Sequence, residues 1–65
     1  MLFPFRRLSA LRGQDVRTID PGKLWKLYHA GRGNLLFRNR NGRQLQILYD
    51  MRGKVSGVLI DGRFI

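Results

Sequence analysis

The chain has no glutamate, no cysteine, a single histidine and no long apolar run. Without cysteine there are no disulfides and no thiolate metal sites, which is compatible with a reducing cytosol, and a cytoplasmic location is expected. His29 alone leaves no second imidazole for a zinc site, so no metal and no other cofactor is expected. No apolar stretch approaches the roughly 20 residues of a membrane-spanning helix, and integral membrane insertion is not expected.

Acid is the scarcest chemistry. Four Asp face thirteen Lys and Arg in 65 residues, a formal net charge of +9, and from Pro21 through Tyr49 there is no acidic side chain at all. Each carboxylate has a local explanation. Asp15 follows Gly13 in a polar stretch and begins a strand. Asp20 before Pro21 has the pattern of a helix N-cap with proline at the first helical position. Asp50 closes a strand opposite Lys54, and Asp61 precedes Gly62 in a turn. Carboxylates occupied in this way leave most of the positive charge to an external polyanion, although a basic surface also serves solubility alone.

Catalysis finds little support in these residues, and the chain is expected not to be an enzyme. General acid–base chemistry needs carboxylates sharing a cleft, and Ser9 and Ser56 lack the partners of a nucleophilic triad. The one enzymatic alternative is a small ribonuclease in which His29, an arginine and a tyrosine such as Tyr49 move protons and hold phosphate.

A chain this short makes one domain and buries only about 60% of the surface it exposes when unfolded. Residues 14–65 form that domain, and residues 1–13 an arm or short helix. The segment Pro4 to Arg12, stopped by Gly13, spaces Phe5, Leu8 and Leu11 to dock on the rest. Its Arg6, Arg7 and Arg12 also suit a mobile basic arm or a targeting segment.

The expected fold class is α+β: one capped helix packed on a three-stranded antiparallel meander, with the N-terminal arm or short helix beside it. Val16 to Ile19 reads as a short strand. Asp20 caps the helix, Pro21 starts it and Gly31 ends it with a positive φ. Leu24, Leu27 and Tyr28 share its inner face with Trp25 on the flank, while Lys23, Lys26 and His29 point away. Gly31-Arg32-Gly33-Asn34 resembles a phosphate-cradling glycine loop only superficially, since it follows a helix, and reads as helix stop and strand entry.

From Asn34 onward, Arg40-Asn41-Gly42 and Met51-Arg52-Gly53 suit three-residue hairpin loops with the glycine in the left-handed region. With Asn39 facing Arg43, Phe37 faces Leu45 and Leu35 faces Ile47. With Asp50 facing Lys54, Tyr49 faces Val55, Ile47 faces Gly57 and Leu45 faces Leu59. That face takes the helix, with Gly57 allowing its close approach. The opposite face carries Leu36, Arg38, Gln44, Gln46, Leu48, Lys54, Ser56, Val58 and Ile60, and something covers part of it. Arg63-Phe64-Ile65 continue as a fourth short strand.

Residues 33–62 resemble a single tyrosine-aspartate repeat unit of the Rhs type through Gly33-Asn34-Leu35, Asn41-Gly42, Tyr49-Asp50, Arg52-Gly53-Lys54-Val55 and Asp61-Gly62. Such repeats build large β-shells from many copies, so the likeness of one unit implies shared hairpin construction and no function.

The functional expectation is non-enzymatic nucleic-acid binding, with DNA favoured over RNA. Phosphate contacts are expected from Arg38, Arg40, Arg43, Arg52 and Lys54 at the hairpin tips and from Lys23 and Lys26 on the helix, two separate patches. Arginine at ten of thirteen basic positions favours bidentate contacts. Gln44 and Gln46, two apart on the central strand, are placed to reach base edges. The alternative is an interaction or assembly module that forms a homodimer through the half-apolar sheet face or binds an acidic protein.

Overall fold

A computed structural model describes residues 8–20 and 22–65. They form one antiparallel sheet of five strands in chain order: β1 (Lys26–Gly31), β2 (Asn34–Arg38), β3 (Gln44–Tyr49), β4 (Val55–Ile60) and β5 (Arg63–Phe64). Val16–Thr18 is a single 3-10 turn where a short strand is expected. The architecture is all-β, and the α+β expectation fails over residues 22–31, which are turn and strand instead of capped helix.

Two local features explain the difference. Asp20 Oδ1 accepts the Gly22 N–H at 3.0 Å, and Gly22 has a φ of +103°, so the carboxylate closes a turn and caps no helix. Pro21, expected to start that helix, lies outside the described residues. Farther along, the register passes from Leu27↔Phe37 to His29↔Leu36, leaving Tyr28 as the extra residue of a β-bulge. A bulge stretches the two-residue repeat of a strand to three, and three is also a helical spacing. An isolated helix of about ten residues is marginal in water. The Arg32-Gly33 turn, with Gly33 and not Gly31 at positive φ, lets the segment pair with β2 instead.

A second bulge changes the register of β4. Phe37↔Leu45, Leu35↔Ile47 and Tyr49↔Val55 pair as the sequence predicts. Beyond them the partners are Leu48↔Gly57, Ile47↔Val58 and Leu45↔Ile60, so Ser56 is the extra residue and β4 is shifted by one. The expected Ile47↔Gly57 and Leu45↔Leu59 pairs are therefore incorrect. A one-residue shift exchanges the faces of a strand. Val58 and Ile60 enter the core, while Gly57 and Leu59 turn to the opposite side, where the Phe64 ring lies over Gly57.

The core consists of Phe37, Leu45, Ile47, Val55, Val58 and Ile60 on one sheet face, closed by Leu8 from the N-terminal segment. Leu11, Val16, Ile19 and Trp25 pack around it, so residues 8–19 occupy the side assigned to the helix. Phe5, expected to dock with Leu8 and Leu11, lies outside the described residues. Backbone bonds from Gly13 N–H to Val55 O (2.8 Å) and from Val55 N–H to Gln14 O (2.9 Å) fasten this segment to β4. The other sheet face has no covering layer among the described residues.

Candidate functional site

The meander sorts the basic side chains by end. The start of β1, the β2–β3 loop and the β4–β5 turn lie together at one end of the sheet, whereas the β1–β2 turn and the β3–β4 loop lie at the other. Lys23, Lys26, Arg38, Arg40 and Arg43 therefore collect at the first end, and Arg52 and Lys54 at the second beside Arg32. This is a different division from helix against hairpin tips, because Lys23 and Lys26 belong to the approach and first residue of β1.

At the first end Lys23, Lys26, Arg38 and Arg40 line a shallow groove of about 640 Å3 with Leu24, Tyr28 and Asn39, and no carboxylate lines it. The bulge puts the Tyr28 ring on the open side of the sheet. There the Arg38 guanidinium lies 4.4 Å from its centroid, a cation–π contact, and its hydroxyl is 3.5 Å from Gln44 Oε1. Lys26 pairs with Arg38 across β1 and β2, and Arg38 with Gln44 across β2 and β3, so these side chains form one row on that face.

The row beside it runs through all five strands: His29, Leu36, Gln46, Leu59 and Phe64 are successive register partners. Gln46 donates from Nε2 to Asn34 Oδ1 at 2.9 Å, which leaves its own amide oxygen available. Phe64 is 70% exposed and Tyr28 is 47% exposed, while Leu36 and Leu59 between them are half-buried. An aromatic side chain thus stands toward each edge of a partly apolar face.

The two longer hairpin loops, one at each end of the sheet, are fixed by their own side chains. Asn39 Oδ1 accepts the N–H groups of Asn41 and Arg43, each at 3.0 Å, and Gly42 takes a φ of +80°. Asp50 Oδ1 does the same for Arg52 and Lys54, each at 2.9 Å, with Gly53 at +84°. The two hairpin loops are one design, built once on an amide and once on a carboxylate.

Asp15, Asp20 and Asp50 are bonded within their own turns, whereas Asp61 reaches Arg43 and Gln44 at the start of β3. The Asp15 carboxyl is lowered to about 2 by hydrogen bonds from the Arg17 side chain and backbone N–H. Asp61 is also lowered, first by the Gln44 backbone N–H and then by Arg43 Nε, both at 2.9 Å. Arg43 is consequently tied to Asp61 and contributes less net charge to a partner than Arg38 or Arg40. Tyr49 donates its hydroxyl to Gly31 O at 3.2 Å. Among the described residues no three His or Asp side chains gather as metal ligands.

The structure thus brings Lys23, Lys26, Arg38, Arg40 and Gln44 together, with Gln46 one row away. It separates them from Arg52 and Lys54. Tyr28, Asn34 and Phe64 share the open face with them, and sequence reasoning did not select these three. The signal for the first was the two-residue, glycine-containing Arg32-Gly33 turn between apolar segments, which marks a hairpin and hence a strand through Tyr28. No protein-family model, curated protein or solved structure matches the chain.

Proposed function

We propose that the protein is a non-enzymatic nucleic-acid-binding module whose contact region is the groove formed by Lys23, Lys26, Arg38 and Arg40. The observation that carries the reading is their convergence, from the approach to β1, β1 itself, the end of β2 and the β2–β3 loop, on a groove lined by no acid. Clustered cations without counter-charge raise the local concentration of a polyanion, and arginine adds bidentate phosphate contacts. The neighbouring Tyr28 ring favours a ligand with flat aromatic groups over a purely acidic surface.

Binding driven by these cations weakens linearly in log affinity with log salt. Changing Lys26, Arg38 and Arg40 together to Gln flattens that slope by roughly 2–3, about 0.7–0.9 per lost phosphate contact. The equal-charge control, Arg32, Arg52 and Lys54 to Gln at the opposite end of the sheet, leaves the slope nearly unchanged. Equal losses from both triple variants would reduce the groove to general attraction, and absence of binding at low salt would end the reading.

A second reading draws on the same open face. Leu36, Leu48, Leu59 and Phe64 form an apolar strip on which another copy of the chain could seat. Light scattering distinguishes the two, since a dimer through this strip has twice the monomer mass without nucleic acid.

A further inference from the structure

Resting on the nucleic-acid reading, we infer that the ligand is single-stranded, with unpaired bases stacked on Tyr28 and Phe64 and its phosphates held by the groove cations. Three observations support this. The first is the exposed aromatic pair. A duplex turns its phosphates outward and keeps its base faces stacked, whereas an unpaired strand offers a π-face at every nucleotide to rings standing on a sheet.

The second is the shape of the molecule. Duplex readout in the major groove needs an α-helix or a two-stranded ribbon that can enter an opening about 12 Å wide. The hairpin carrying Arg38 and Arg40 is β2–β3, flanked by β1 on one side and β4 on the other. Arg43 and Gln44 at its tip are bound to Asp61 of the neighbouring turn. It therefore does not project as a ribbon, and the described residues contain no long helix to take its place.

The third is the arrangement of polar groups between the rings. β1 and β5 are four strand spacings apart, roughly 19 Å at 4.8 Å per spacing. That distance suits a few nucleotides, within the range that single-strand-binding sheets occupy. The Arg38 guanidinium, 4.4 Å from the Tyr28 centroid, sets a phosphate-binding cation beside that ring, and the amides of Gln44 and Gln46 lie along the path where base edges would pass.

The test compares a labelled oligothymidylate of about 12 nucleotides with a duplex of the same length at low salt. The wild-type chain is expected to bind the single strand at least tenfold more tightly. Tyr28→Ala and Phe64→Ala each weaken single-strand binding about 5- to 150-fold, the range of one lost base stack, and weaken it more than they weaken duplex binding. Tyr28→Phe, which keeps the ring, retains most of the affinity. Both side chains are exposed, so thermal midpoints near the wild-type value verify folding. Duplex binding as tight as single-strand binding, or single-strand affinity unaffected by either alanine, overturns the inference while the groove reading stands. Failure to bind either form overturns both.

Discussion

Phe64 lies across Gly57, with its Cε1 3.0 Å from the point that a Cβ on Gly57 would occupy. The close approach is on the open face, where the ring is free to swing outward, and Gly57 has ordinary strand geometry. Gly57→Ala is therefore expected to change stability by no more than about 1 kcal/mol, because the strain on a mobile ring is offset by the lower entropy cost of alanine in a strand. Gly33→Ala behaves differently: φ is +69° and the new Cβ would lie 2.9 Å from Tyr49 O, a backbone atom. A loss of about 1–3 kcal/mol is expected. Urea unfolding of the two variants checks the contrast.

The bulge at Ser56 makes a prediction that reverses between registers. Ile60 is buried in the core and Leu59 is half-buried on the other face. Ile60→Ala should cost about 2–5 kcal/mol, enough to unfold much of a domain this small, and Leu59→Ala less than half as much. A larger loss at Leu59 would mean that β4 pairs without the bulge.

Asn39 and Asp50 provide a charge test with little structural cost. Asn39→Asp keeps the oxygen that accepts from Asn41 and Arg43, so folding is preserved, but it sets a negative charge between Arg38 and Arg40. Nucleic-acid affinity at low salt is expected to fall severalfold. Asp50→Asn, the reverse exchange at the far loop, is expected to leave affinity nearly unchanged or slightly raised. Fluorescence anisotropy measures both.

Acid should destabilise the fold in a defined window. Asp15 and Asp61 are lowered below the ordinary carboxylate value of 3.8, Asp15 to about 2, so the unfolded chain takes up protons first as pH falls. Their contribution is complete above the ordinary value and is lost as pH falls below it, for Asp15 down to about 2. Thermal midpoints should be level near neutrality and decline below pH ~4. Asp15→Asn should make that decline shallower, since the amide still accepts from Arg17 N–H but has no proton to gain in this range.

The glycine-closed loops after Asn39 and Asp50 were legible because their signals are local: an Asx side chain, two further residues and a glycine able to take positive φ. The pairing of Phe37 with Leu45 followed directly. The strand through Tyr28 was not legible from its pattern, since Asp20-Pro21 has the form of a helix cap, Leu24, Leu27 and Tyr28 have the spacing of a helix face, and the bulge breaks the alternation that marks a strand. The same substitution of three for two hid Val58 and Ile60 from the core. Bulges are settled by pairing partners distant in sequence, and periodicity within one segment does not register them. For the candidate site, the charge of Lys23, Lys26, Arg38 and Arg40 could be read from composition. Their meeting in one groove depends on β1 being a strand.

The edges of the sheet also bear on how the protein meets its neighbours. An uncovered outer strand is a template for another chain, and proteins discourage this by keeping edge strands short or by interrupting them with bulges. Here β5 has two residues and β1 is interrupted at Tyr28. Strand addition, the commonest way for a small sheet to polymerise, is thereby disfavoured on both sides. The broad face remains as the surface through which this sheet can associate without growing.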